Sequence, residues 1–275
     1  MSSARLMLLR AILAVPVLFP GASKAPAGEA DRIEARIEIF GFAGLHVLTN
    51  RTTVEEAGDR YSIAMDLDTR GLARVFVDLT SHSEVHGRLA RDTARPDAYR
   101  AEVRRNGIDR AYGVDYRSDG AAMNASTPPS PGWSLSVPAE LIRGTVDQLT
   151  AYFLLEHQLA QRGTCALDVP VFDGSALYNV RFTDFTDIKS EALSADGYQN
   201  FAGPTQLCQI IREEIRRNPG QGEDTYQRGR VWYARLAAGD LMLPVRMEFE
   251  TAFGTVRGYL AELRGHGVHL HLMRE

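Results

Sequence analysis

Residues 32–39 read Arg32-Ile33-Glu34-Ala35-Arg36-Ile37-Glu38-Ile39. Ile33, Ala35, Ile37 and Ile39 occupy one parity, and Arg32, Glu34, Arg36 and Glu38 the other. An extended chain sends alternate side chains to opposite faces, so this period of two predicts a half-buried β-strand. The pattern returns at Tyr61, Ile63, Met65 and Leu67, and again at Val75, Val77 and Leu79. Further strands are expected at 113–116, 177–182, 231–236, 245–249 and 256–263. Turn chemistry separates them: Asp68-Thr69-Arg70-Gly71, Arg105-Asn106-Gly107, Ser118-Asp119-Gly120 and Ala238-Gly239-Asp240.

Two segments depart from this period. Thr127-Pro128-Pro129-Ser130-Pro131-Gly132 lacks the donors a ladder needs and is expected to be a loop or linker. Gly144-Thr145-Val146-Asp147-Gln148 reads as a helix start, with Thr145 as N-cap and Gln148 completing a capping box. Asp147 stands where the helix dipole favours negative charge. Val146, Leu149, Phe153 and Leu154 follow at helical spacing, and Gly163 is the stop. Residues 207–216 fit either a short helix or a strand. Meandering strands beside one apolar helix predict a mainly β fold: a long curved antiparallel sheet, or an incomplete barrel, wrapped around one central α-helix.

The chain begins with Arg5 and Arg10, then an apolar run over 11–19 broken by Pro20 and Gly21. Ala25-Pro26-Ala27 offers small residues for cleavage, so residues 1–27 read as a secretory signal peptide. The run is shorter than the roughly 20 apolar residues a membrane span needs. Residues 28–275 are then expected to form a single β-rich domain in the periplasm, with no later transmembrane segment. A formal charge of −4 excludes long-range attraction to nucleic acid. Cys165 and Cys208 are the two cysteines. In an oxidising compartment they most simply pair, and the C-x-x-C spacing of a redox site is missing.

From residue 144 onward the chain resembles a bacterial exported family known as domain of unknown function 3108. The residues carrying the resemblance start with 144–150 at the helix start, Cys165, Val171-Phe172-Asp173-Gly174 and Tyr178. Gly203-Pro204 before Cys208, Val231-Trp232, Leu243-Pro244-Val245-Arg246 and Gly254-Thr255-Val256 continue it. The resemblance implies an envelope protein of antiparallel β type, similar in form to open barrels that carry lipoproteins or lipids. It implies no established activity. Where the family usually places basic residues before its tyrosine, this chain has Ser175, Ala176 and Leu177. Read on its own, Asp173-Gly174 is a hairpin-turn signal.

Candidate chemistry is sparse. His269 and His271 share a face if 268–271 is a strand, where two imidazoles can hold a metal; His266 or Glu275 would have to complete the set. Against that, exposed histidines near a terminus need no ligand. Ser81-His82-Ser83-Glu84-Val85-His86 has triad residue types without a nucleophile elbow, and reads as a polar outer face. Asp184, Asp187 and Glu191 lack calcium-loop spacing and can pair with Lys189 or Arg181. The mixed-sign run from Arg212 to Arg217 reads as solvated. Tyr152, Phe153, Phe172, Tyr178 and Trp232, with Tyr233 and Phe249, either line a ligand cavity inside the curled sheet or make its core.

Two functions are consistent with these residues. One is a non-enzymatic periplasmic envelope protein, carrying or binding an apolar ligand such as a lipid, or partnering a lipoprotein or other envelope protein. The other is a metal-dependent protein or enzyme using His269 and His271. No cofactor motif is present.

Overall fold

The strand that opens the argument, β1 (Asp31–Phe40), is paired on both sides, and this sets the architecture. The computed structural model describes residues 31–90, 93–117, 122–124, 137–185, 190–217, 228–236, 241–251 and 254–273. On one flank of β1 lie β2 (His46–Ala57), β3 (Arg60–Thr69), β4 (Leu79–Ala90), β5 (Thr93–Arg105), β6 (Ile108–Tyr116) and β7 (Ala122–Asn124), each antiparallel to its neighbour. The sequence then passes through β8 (Leu167–Phe172), β9 (Ala176–Asp184), β10 (Ser190–Leu193) and β11 (Gly203–Arg217). It ends with β12 (Arg228–Ala234), β13 (Leu243–Thr251), β14 (Gly254–Gly265) and β15 (Val268–His271). The order on the other flank of β1 is β14, β13, β12, β11, β9, β8; β10 adds to β11 and β15 to β14.

The fold is mainly β, a single antiparallel sheet curled into a nearly closed, barrel-like form. Its two ends approach each other where β6 meets the β8–β9 hairpin. Val114 packs there with Ile142, Phe172 and Leu177. The Tyr116 hydroxyl donates to the Phe172 carbonyl at 3.4 Å. A Cβ on Gly174 would stand 3.0 Å from the Gly113 carbonyl oxygen, so this approach requires glycine.

A short helix α1 (Ala73–Phe76) links β3 to β4, α2 (Ala139–Ile142) follows β7, and α3 (Gln148–Arg162) precedes β8. Leu149 and Phe153 of α3 join one apolar cluster with Tyr61, Ile63, Val85 and Tyr99. Ala151, Leu155 and Leu159 join a second with Val171, Tyr178, Val180 and Phe182. Cys165 and Cys208 are disulfide-bonded inside this second cluster, with Cα atoms 5.7 Å apart.

Several expectations need correction. The N-cap of α3 is Asp147, not Thr145; the Thr145 hydroxyl donates to the Ile142 carbonyl at 2.8 Å. Val146 is held extended by a parallel bridge to Val171, so the helix can turn only after it. Val75 and Val77 do not continue a strand: Ala73–Phe76 forms one helical turn, and β4 begins at Leu79. Residues 207–216 are strand, within β11. Asn106 and Gly107 both have positive φ, as a tight hairpin turn requires, and Gly163 closes α3 with φ of 63°. Pro244 is the second residue of β13. Residues 1–27, read above as a signal peptide, the turns at 118–120 and 238–240 and the proline segment 127–132 lie outside the described residues.

Candidate functional site

The registers of β2 to β6 align inward-facing residues in three rungs. The lowest is Val54, Ile63, Val85, Tyr99 and Val114, all buried. Next come Thr52, Met65, Ser83, Ala101 and Tyr112, of which Ser83 and Ala101 are buried and the others half-buried. The top rung is Asn50, Leu67, Ser81, Val103 and Arg110, and all five are half-buried. The inner face thus passes from dry core to solvent-accessible wall within four residues along each strand. It opens toward the end bearing the β1–β2, β3–β4 and β5–β6 connections. Those connections expose apolar side chains: Phe42 is 88% and Phe76 80% accessible, with Leu72, Val75 and Ile108 also exposed.

Leu149 and Phe153 of α3 pack against Ile63, Val85 and Tyr99 of the lowest rung. Asp147 caps the helix by accepting from the Thr150 amide at 2.9 Å and the Thr150 hydroxyl at 2.6 Å. Thr150 in turn meets the Tyr61 hydroxyl at 2.8 Å, tying helix to β3. Phe153 stacks on Tyr61, with ring centroids 5.0 Å apart. Burial, opposed by the Thr150 bonds, pushes the Asp147 carboxyl up to about 6.

On the opposite wall, Cys208 and Ile210 of β11 are fully buried, and Arg212 continues their parity. The Arg212 guanidinium lies over the Tyr178 ring, 3.5 Å from its centroid. Its Nε is buried and has no hydrogen-bond partner among the described residues. Burial raises the phenol pKa of Tyr178, Tyr152 and Tyr112, and the Arg212 charge opposes that rise at all three. One cation therefore acts on tyrosines from β9, α3 and β6 at once. Arg110 of the top rung opposes the rise at Tyr112 as well, so this end of the inner face is basic beside an apolar core, a chemistry that suits an amphiphile.

Residues 36–261 match the family described as protein of unknown function (DUF3108). The chain belongs to the DUF3108 family. No curated protein matches it. Among solved structures it is similar to a β-barrel-like protein of domain of unknown function DUF1849 from Brucella abortus, at 11% identity and a TM-score of 0.48. That similarity covers 87% of this chain and 98% of the other.

Within this DUF3108 chain the five aromatic candidates separate. Tyr152 and Tyr178 meet at Arg212 and pack in the second apolar cluster. Phe153 and Trp232 belong to the first cluster, and Phe172 to the cluster at the seam. Trp232 donates from Nε1 to Glu191 at 2.7 Å. Arg212 was hidden in a mixed-sign run. The signal that finds it is strand parity, since Glu213 points outward to Arg181 at 3.3 Å while Arg212 points in. Asp184 accepts from the Thr164 hydroxyl at 2.6 Å and the Cys165 amide at 3.0 Å, a structural use. Asp187 and Lys189 lie outside the described residues. His82, Glu84 and His86 are exposed on the outer face of β4, where His82 pairs with Asp66 at 2.8 Å.

His269 and His271 do come together, with ring centroids 4.4 Å apart. Their third neighbour is Glu262, opposite His271 on β14; one ligand atom from each of the three lies within 4.8 Å of the others. Sequence reading missed Glu262, although the Gly265-His266-Gly267 turn, laid out as a hairpin, would have paired it. The Arg264 Nε stands 2.7 Å from Glu262 and 3.0 Å from His269 Nε2. The His269 hydrogen bond, with Arg264 and Arg36 assisting against desolvation, pulls the Glu262 carboxyl down to about 2. A second surface feature is a cleft of about 300 Å³ on the outer face of β1 and β14. Phe40, Tyr198 and Tyr259 line it, and the two tyrosine rings stack at 5.2 Å.

Proposed function

We propose that this protein is a non-enzymatic component of the bacterial envelope, exported to the periplasm, whose barrel binds an apolar ligand through its open end. The observation that carries this reading is the top rung, Asn50-Leu67-Ser81-Val103-Arg110, which stays accessible directly above a dry core. In this reading α3 is the central helix that plugs the lower barrel and leaves the upper part for cargo. The exposed apolar tips at Phe42, Leu72, Val75 and Phe76 support it, because transfer between a lumen and a lipid or lipoprotein needs an apolar doorway. Native mass spectrometry on protein isolated from the periplasm tests it. Extra mass of lipid size, lost on denaturation, together with saturable uptake of N-phenyl-1-naphthylamine, is the expected result. A bare chain that takes up no apolar probe overturns it.

A second reading, a metal-dependent role through His269 and His271, is favoured by the position of Glu262 as a third ligand. Its test is metal content before and after chelation, in the wild type and in a His269→Ala/His271→Ala double variant. Equal content in both proteins removes it.

A further inference from the structure

We propose that the ligand of the open end carries an anionic head group, carboxylate or phosphate, and that Arg212 holds it; this rests on the lumen reading above. The parity of β11 forces the side chain inward. Cys208 and Ile210 point to the core, and Arg212 follows two residues on, while Gln209, Ile211 and Glu213 have the other parity. Ile210 is level with Gly229, Phe249 and Val256 across successive strands. Arg212 therefore stands nearer the open end than these, where a head group would stop.

A guanidinium drawn out of water is normally matched by a carboxylate, because unpaired burial of charge is costly. Among the described residues Arg212 has no ion pair; its partner is the face of Tyr178, and its Nε is unsatisfied. The acid nearest in sequence on β11, Glu213, is engaged outside by Arg181. Asp173, which acts on the same tyrosines, accepts at Oδ1 from the Ser175 amide, the Ser175 hydroxyl and the Ala176 amide, and makes no ion pair with Arg212 among the described residues. Among the described residues the Arg212 guanidinium thus has no carboxylate acceptor, and its fork of donors suits the paired oxygens of a carboxylate or phosphate. The phenols of Tyr112 and Tyr152 lie within the field of the same charge. Met65, Leu67 and Val103 on the inner face of β3 and β5 would provide the wall for an alkyl chain.

The test uses the mature protein with N-phenyl-1-naphthylamine, a neutral apolar probe, and three competitors of equal chain length: dodecanoate, dodecyl phosphate and 1-dodecanol. At least one anion should displace the probe at a tenfold or lower concentration than the alcohol. Whichever anion is stronger names the source, a fatty acid or a phospholipid. Arg212→Gln should abolish the preference while the probe still binds, and Arg212→Lys should keep part of it. Equal competition by dodecanol overturns the role of Arg212 and leaves the lumen reading standing. Failure of the probe itself to bind overturns both. The wild-type comparison decides without any variant, so a poorly folding Arg212→Gln protein does not spare the proposal.

Discussion

Asp147 and Thr150 bond each other twice, amide to Oδ1 at 2.9 Å and hydroxyl to Oδ2 at 2.6 Å, in a fully buried setting. Caps of this kind contribute about 1 kcal/mol, and up to about 2. Here the cap also carries a burial cost, since its carboxyl is raised to about 6 from an ordinary value of 3.8. A folded-state pKa above the unfolded one means the folded protein binds more protons, so stability falls as pH rises from about 4 to about 6. Asp147→Ala should cost about 1–2 kcal/mol at neutral pH. Asp147→Asn keeps an acceptor without the charge and should be near neutral or stabilising at pH 7. Urea titrations of both variants check this, and an Asn variant as damaged as the Ala variant would refute it.

The Cys165–Cys208 bridge closes a sequence separation of 43 residues that spans β8, β9 and β10. Closing a loop of that length restrains the unfolded chain by about 4 kcal/mol in the loop-entropy treatment. A Cys165→Ser/Cys208→Ser variant should lose that amount or more, because both sulfurs are wholly buried between α3 and β11. Loss below about 1 kcal/mol in denaturant titration would show that the denatured chain is already restrained there.

How much of this was legible beforehand depended on whether the deciding contact was local. The alternation of Ile33, Ala35 and Ile37 could be read directly, because Ile33 and Ile37 are buried in the core and the hydrophobic effect enforces the period. The disulfide needed only two cysteines and a compartment. The cap did not, because Thr145 and Asp147 offer equally good chemistry two residues apart. What chooses between them is the bridge from Val146 to Val171, formed by a strand that comes later in the chain. Val75, Val77 and Leu79 satisfy a period of two by accident, with a single helical turn supplying the first of them. Arg212 was obscured for another reason. Ile210 and Ile211 are adjacent and both apolar, which hides the parity of β11 and lets the charges beyond read as one solvated face.

Glu156 on α3 faces Glu56 of the β2 inner side. Burial, foremost, and the Glu56 charge push its carboxyl up to about 8, against an ordinary value of 4.5. The neighbouring His157 Nε2 is 3.3 Å from Glu56. With the folded pKa above the unfolded one, this group favours the folded state below pH 4.5, and that advantage drains away up to about pH 8. Glu156→Gln should therefore raise the melting temperature at pH 8 and flatten the pH dependence between those limits. A variant whose stability tracks the wild type at every pH from 5 to about 9 would exclude a raised Glu156.

At the β14–β15 hairpin the sign is reversed. Glu262 sits at about 2, held there first by the His269 hydrogen bond and then by Arg264 and Arg36. A depressed carboxyl contributes stability that is fully present above pH 4.5 and lost as pH falls toward about 2. Carbon-detected NMR of the Glu262 carboxyl should show a midpoint near 2 in the wild type. His269→Ala should move that midpoint upward, back toward the ordinary range, because the largest contributor is removed while both arginines remain. The same spectra separate the two roles open to this cluster. If Arg264 is the resident cation, adding zinc at micromolar concentration leaves the Glu262 and His269 signals in place. If the cluster is a metal site, zinc displaces Arg264, shifts both signals together, and the shift disappears in His271→Ala. Protons and metal compete for the same oxygen and nitrogens, so a true site would also release zinc as the solution is acidified.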